Sequence, residues 1–423
     1  MNAESFHRLL KTLLDSGEAK TVEEAKEAFA GYGVRLVLHP SARNSVGQQL
    51  IALTIINTAA RCFLGNVIVE SDEDMVLAAP GFEGQRLSEF CDWAGVAVGV
   101  APLGGWPVIA IGAPASVTAD GAIRPWAGGW VFGLGKNAVA GDEVFPPACV
   151  AAGALAVSEA FSLLRRDNPY AGKRDFVFSL WSMTKNDEQG PMDALSEVLR
   201  DGLWMVGLGH LGQAYCWTLG FFASTAATLI LQDMDAVTGS TISTSVLSSR
   251  HDVGLMKTRV VAPWLEKRGF KTRLLERRFD ASTRIAVSDP SVALFGVDNA
   301  SARRCCEQAG FSLVLDAGLG SGYRDFRAIR VRAFPGASSA AKIWAHDQEV
   351  HNAQVAPAYT ALLADGHDPC GITTLVTRAV GAPFVGCYAA AILLAQMFKR
   401  RLSGAGVDVL DVNIRNPGYL EIA

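Results

Sequence analysis

From Gly202 to Gln232 the chain carries no formally charged residue, and glycines interrupt the run at Gly207, Gly209, Gly212 and Gly220. A membrane span would continue as one apolar helix. Here the pattern changes from a strand period to a helical one and back, which predicts a strand–turn–helix–strand unit buried inside a parallel sheet. A second uncharged run, Ala379–Phe398, is rich in Ala and Gly, ends in Lys399-Arg400-Arg401, and reads better as a buried helix than as a span. These runs predict an α/β protein with mixed, mostly parallel sheets and flanking helices.

The rest of the composition agrees. With 423 residues, half of them hydrophobic and 19% charged, two or three cores are expected rather than disorder. A net charge of −4 argues against a nucleic-acid partner or an anionic membrane surface. The start Met1-Asn2-Ala3-Glu4-Ser5 lacks a basic-then-apolar leader, so a cytoplasmic protein is expected. The eight cysteines include no C-x-x-C pair or zinc-ligand spacing and read as free thiols.

Residues 1–32 read as a helical pair, with Phe6, Leu9, Leu10, Leu13 and Leu14 on one stripe and a capping box at Thr21 and Glu24. Strands and helices alternate through 33–166 and again through 201–423. Both runs close on an apolar helix with a lead-in proline, Pro146 and Pro383. This predicts a divergent internal repeat, two Rossmann-like domains joined by a linker over 167–200. The first copy has Ser41-Ala42-Arg43-Asn44-Ser45-Val46-Gly47 where the second has glycines, and is expected to be degenerate.

The second copy carries the chemistry. Gly207-Leu208-Gly209-His210-Leu211-Gly212 lies between strand and helix, where backbone N–H groups and the helix dipole can hold phosphate. Asp233 follows at the distance of a ribose-binding carboxylate, and Asp235 is either a second ligand or a strand-end cap. Lys257, in Gly254-Leu255-Met256-Lys257, has no purpose in a dinucleotide fold. It suits a triphosphate whose β- and γ-oxygens need neutralising; the alternative is a solvated helix lysine. Asp298 ends an apolar strand at the sheet's carboxyl edge and suits a magnesium ion (Mg2+) bridging phosphates of ATP, or an N-cap for the helix from Ser301.

The run from Asp233 through Asp235 and Val237 to Gly254 and Lys257, with Asp298-Asn299 later, resembles the nucleotide segment of the ubiquitin-activating-enzyme superfamily, including ThiF, MoeB and HesA type adenylyltransferases. The family pattern is D-x-D-x-V, S-N-L-x-R, G-x-x-K and D-N. The pairing of an active with a degenerate adenylation domain resembles bacterial two-domain activating enzymes of ubiquitin-like antiphage operons.

The resemblance implies two steps. The C-terminal carboxylate of a ubiquitin-like or sulfur-carrier protein attacks the α-phosphate of ATP and releases pyrophosphate. A cysteine thiolate then displaces AMP to form a thioester, which passes to a conjugating enzyme. Cys370, in Asp368-Pro369-Cys370-Gly371 at the end of a segment (338–370) that resembles the family's crossover loop, is the expected nucleophile; a packing cysteine is the alternative. Adenylation without a thioester and a pseudoenzyme scaffold remain open, as does association into a homodimer. One departure is specific: Thr241 and Thr244 stand where the family has Asn and Arg, so Arg250, Arg303, Arg304 or Arg43 is expected to supply the cation.

Overall fold

The computed structural model describes residues 7–99, 105–112, 121–135, 143–222, 226–345 and 379–423, together with Tyr359 and Val376. Two short helices, α1 (Lys11–Ser16) and α2 (Val22–Ala30), precede the first sheet. Thr21 Oγ1 accepts the Glu24 N–H at 3.1 Å, while the Glu24 carboxylate reaches back to the N–H of Lys20 at 2.7 Å, one residue earlier than a capping box requires. The stripe Leu9, Leu10, Leu13 and Leu14 is buried.

The first half then runs β1 (Val34–Leu38), α3 (Val46–Cys62), β2 (Val67–Ser71), α4 (Leu87–Ala94), β3 (Ala97–Val98) and β4 (Val108–Ile111). Its four strands are parallel, in the order β3-β2-β1-β4. Next come β5 (Pro125–Gly128), β6 (Val131–Leu134), α5 (Pro146–Arg165) and β7 (Phe176–Ser179), whose strands form an antiparallel three-stranded sheet.

After α6 (Leu195–Arg200) the second half repeats the opening. It runs β8 (Leu203–Val206), α7 (His210–Leu219), β9 (Thr228–Gln232), α8 (Lys257–Glu266), β10 (Lys271–Leu275) and β11 (Val292–Phe295). Their order, β10-β9-β8-β11, repeats that of the first sheet, and all are parallel. The sheet continues through β12 (Leu313–Leu319), β13 (Ala328–Phe334), β14 (Val409–Asn413) and β15 (Leu420–Ile422), the last three pairings being antiparallel. Two helices, α9 (Ala300–Arg304) and α10 (Ala340–Ile343), flank it, and α11 (Pro383–Ser403) precedes β14.

The two sheets share one helical layer. Helix α11 packs on α5 and α7, and α5 packs on α3. The two proline-led helices meet in near two-fold fashion: the Phe145 ring lies 5.7 Å from Phe398, and Phe161 lies 5.8 Å from Phe384. Full burial of such a phenylalanine stabilises by about 1.5–3 kcal/mol. One helix among the described residues, Pro146–Arg165, is long and apolar enough to cross a membrane, and 89% of its apolar window is buried inside the protein. The uncharged Gly202–Gln232 run is β8, α7 and β9.

Residues 167–200 differ from a free linker. They contain β7, which pairs with β6 of the first half, and Asp167 forms an ion pair with Arg327 of the second. The helix expected from Ser301 is also broken, into α9 and a 3-10 turn at Cys306–Ala309.

Candidate nucleotide site

The first strand of the second half, β8, lies between β9 and β11, so chain order reverses beside it. The carboxyl edge of the sheet at such a reversal is the position where open α/β sheets bind ligands. The glycine turn follows β8 at that edge. Gly207 has φ +83°, and a Cβ on it would lie 3.0 Å from the Gly296 carbonyl oxygen; one on Gly212 would lie 1.9 Å from the Gly207 carbonyl oxygen. Packing therefore requires both glycines. Gly209 is different: a Cβ there would meet no atom of the described residues within 4 Å, and its φ is −85°. It is the first residue flanking α7, and no side chain caps that helix.

In the first half the matching space is filled. Ser45 caps α3, its hydroxyl accepting the Gln48 N–H at 3.3 Å. Ser41 Oγ donates to the Gly112 carbonyl at 3.2 Å, and a Cβ on Gly112 would meet Ser41 Oγ and Gln48 Oε1. The position in the first half that matches the glycine turn is thus occupied by that half's own side chains.

Asp233 supports the glycine turn from β9. Its carboxylate accepts the N–H of Leu208 at 2.6 Å and that of Asp235 at 2.8 Å. Burial raises its pKa, against the opposing charge of Lys257. Asp235 is the outward acid, its side chain 60% exposed and 2.7 Å from Lys257 Nζ; Lys257 Nζ also lies 3.9 Å from Asp233. Backbone pairing fixes this register. Val237 N–H donates to Leu255, Gly254 to Val237 and Lys257 to Asp235, at 2.8, 2.9 and 3.0 Å. Gly254, at φ +92°, makes the reversal that brings the lysine back to the acid.

Asp298 is exposed beyond β11, and the cap of α9 belongs to its neighbour: Asn299 Oδ1 accepts the N–H groups of Ser301 and Ala302 at 2.8 and 3.3 Å. The segment leading to Asp298 touches the glycine turn, since a Cβ on Gly296 would lie 2.9 Å from the Gly212 nitrogen. Among the described residues no group of three or more His, Cys, Asp or Glu side chains could hold a metal. Magnesium bound mainly through phosphates needs only one or two protein carboxylates.

The turn after Asp235 does not present its threonines. Thr241 and Thr244 are 7% and 1% exposed, and Thr241 Oγ1 accepts the Thr238 N–H at 3.1 Å. The expected arginines are mostly engaged elsewhere: Arg303 pairs with Asp316 at 2.8 Å, Arg304 donates to the Trp344 carbonyl at 2.6 Å, and Arg43 pairs with Glu73 at 2.9 Å. Arg250 is exposed on the 3-10 turn Arg250–Asp252. His210 joins the glycine turn to α11, its Nε2 being 2.9 Å from the Ala382 carbonyl. Desolvation, then the charge of Arg8, lowers its pKa to about 3, so it is neutral.

Two family profiles match this chain: the BilD N-terminal domain over residues 33–180 and the BilD C-terminal domain over residues 199–405. A relative from Collimonas sp. (strain OK412), described as a bacterial E1-like protein BilD, is 36% identical over 430 residues, spanning 96% of this chain and 90% of the relative. The chain belongs to the BilD family. Among solved structures, selenomethionine PaaA aligns with 54% of this chain and 74% of its own at 16% identity and a TM-score of 0.38, a likeness that bears no argument.

In this BilD-family chain Cys370 lies outside the described residues, as do Asp368, Pro369 and Gly371. The seven described cysteines, Cys62, Cys91, Cys149, Cys216, Cys305, Cys306 and Cys387, are buried. Burial raises every one of their thiols, to about 12 for Cys91, Cys149, Cys306 and Cys387. Sequence reasoning missed Arg61 and Asn57. Both lie on α3 of the first half and donate to backbone carbonyls of the second half's 240–248 turn. A charged residue inside an otherwise apolar helix was the available signal.

Proposed function

We propose that this chain is an ATP-dependent adenylyltransferase of the ubiquitin-activating superfamily, acting on the C-terminus of a ubiquitin-like protein. One observation carries the reading. The Asp235–Lys257 pair is pinned beside a glycine turn whose middle glycine has no described residue within 4 Å of its Cβ position, at the sheet's switch point. In this reading the N–H groups of the α7 N-terminus and Lys257 hold phosphate oxygens, while Asp298 holds Mg2+. The magnesium ion, when bound, neutralises charge on the departing pyrophosphate. The chain's own residues act by position and charge, because the attacking carboxylate is already an anion and needs no general base. Release of the acyl group to Cys370 and onward to a conjugating enzyme belongs to the same proposal. It is supported by elimination, since the seven described thiols are buried and burial raises their pKa values.

The expected measurement is ATP–pyrophosphate exchange that depends on the cognate ubiquitin-like protein and is lost in Asp298→Ala. The absence of exchange with every candidate carrier would defeat the proposal. A scaffold is the second reading, favoured by the inward packing of Thr241 and Thr244 and the engagement of Arg303, Arg304 and Arg43. It predicts partner binding that survives Lys257→Ala.

A further inference from the structure

Helix α3 belongs to the half whose own cradle is filled, yet its last turns reach the other half. Arg61 is the decisive side chain. Its guanidinium donates through Nη1 to the Ile242 carbonyl at 3.1 Å and through Nη2 to the Val246 carbonyl at 3.2 Å. Its third nitrogen, Nε, is held by Asn57 Oδ1 at 3.0 Å, and Asn57 Nδ2 itself donates to Val246 at 3.0 Å. The Trp93 ring lies 5.9 Å from the guanidinium carbon, and His7 Nε2 lies 2.6 Å from the Arg61 carbonyl. A planar fork held on every nitrogen fixes two carbonyls at once, which a lysine cannot do.

The contact continues into the candidate site. The residue after Val246, Leu247, donates its N–H to Gln213 Oε1 at 2.9 Å, and Gln213 Nε2 donates to Ser248 Oγ at 2.8 Å. The same amide nitrogen donates to the Leu208 carbonyl at 3.2 Å, inside the glycine turn. Leu208 in turn gives its N–H to Asp233. An unbroken run of hydrogen bonds therefore joins the degenerate half to the candidate phosphate cradle, and Asn57, Gln213 and Ser248 are each 1% exposed or less. Buried polar chains of this kind are fully satisfied or costly, so they fix one geometry.

We propose that Arg61, seated in the half that has lost its own site, is a positioning residue for the nucleotide site of the other half, acting through the turn 240–248 and Gln213. The proposal rests on the adenylation reading above. It gives the degenerate half a task that stability alone does not explain.

The test compares Arg61→Ala, Arg61→Lys and Arg268→Gln in the full chain. Arg268 bridges the same two halves elsewhere, 3.2 Å over the Trp264 ring and 4.9 Å over Phe82, without touching the turn. The expected result is a KM for ATP raised about tenfold or more in Arg61→Ala in pyrophosphate exchange, equivalent to roughly 1.4 kcal/mol. The KM for the carrier protein should be unchanged, Arg61→Lys should recover little, and amide exchange should be faster at residues 240–248. Arg268→Gln, matched for thermal stability, should keep the wild-type KM for ATP. Arg61→Ala at wild-type KM, or Arg268→Gln with the same KM rise, overturns the proposal and leaves Arg61 a packing residue. If the wild-type protein itself shows no exchange with any carrier, the adenylation reading fails first and takes the catalytic claim with it. Unchanged amide exchange at 240–248 in Arg61→Ala would refute the brace independently.

Discussion

Lys257 and Asp235 are bonded twice: the lysine N–H meets the aspartate carbonyl at 3.0 Å, and its ammonium meets the same residue's carboxylate at 2.7 Å. The backbone bond sets the register, and the side-chain bond holds the cation beside the candidate cradle. Replacing Lys257 by alanine removes only the second. Because the Asp235 side chain is 60% exposed, the ion pair itself contributes at most about 1 kcal/mol to stability. Lys257→Ala should therefore melt close to wild type while losing roughly a hundredfold or more in pyrophosphate exchange. A large fall in Tm with intact exchange would show that the lysine is structural.

Two glycines of the turn, Gly209 and Gly212, should separate cleanly. Gly209→Ala places its methyl where no described residue lies within 4 Å, so it should cost folding far less than a methyl at Gly212. Nucleotide affinity should fall, because that methyl projects where phosphate is proposed to lie. Gly212→Ala forces a carbon onto the Gly207 carbonyl and should destabilise by about 3 kcal/mol or more. Calorimetric titration with a non-hydrolysable ATP analogue, beside urea unfolding, tests both.

Neighbouring acid and amide at the end of β11 divide two tasks that either residue could perform. Asn299→Ala removes the cap of α9 and should cost about 1 kcal/mol of stability. Asp298→Ala should leave the unfolding midpoint unchanged and abolish exchange. The reverse assignment of effects would place the metal ligand elsewhere.

Acid should loosen the junction that His7 makes with Arg61. Burial lowers the folded-state pKa of His7 from 6.5 to about 4. The unfolded chain therefore binds more protons than the folded one between these values. The contribution is fully present above pH 6.5 and is lost as the pH falls toward 4. Thermal melts from pH 7 to pH 4.5 should show a decline that is smaller in His7→Asn. Identical slopes in the two proteins would remove His7 from the explanation.

Legibility from sequence followed the physics of each segment. The β8–α7–β9 unit was readable because strands covered on both faces are written almost wholly in apolar residues. Two strands with wet residues were not. Lys271–Leu275 forms an edge strand with most of its residues exposed or partly so, and Ala328–Phe334 interleaves Arg330 and Arg332 with apolar residues. The Asp235–Lys257 pairing was legible as spacing, since the chain returns the lysine to the acid 22 positions on. The bond from Arg61 to Ile242 spans 181 residues of chain, and nothing local to either marks it. That Asn299 rather than Asp298 caps α9 depends on backbone geometry that both residue types accept equally.

The crossed pair α5 and α11, with Phe145 against Phe398 and Phe161 against Phe384, also decides how the protein responds to its own abundance. A site braced by a separate subunit assembles at a rate set by encounter and fades as copies become scarce. Here the brace travels on the same polypeptide, so its effective concentration is set by chain connectivity and not by expression. Dilution alone therefore leaves the Arg61 brace in place.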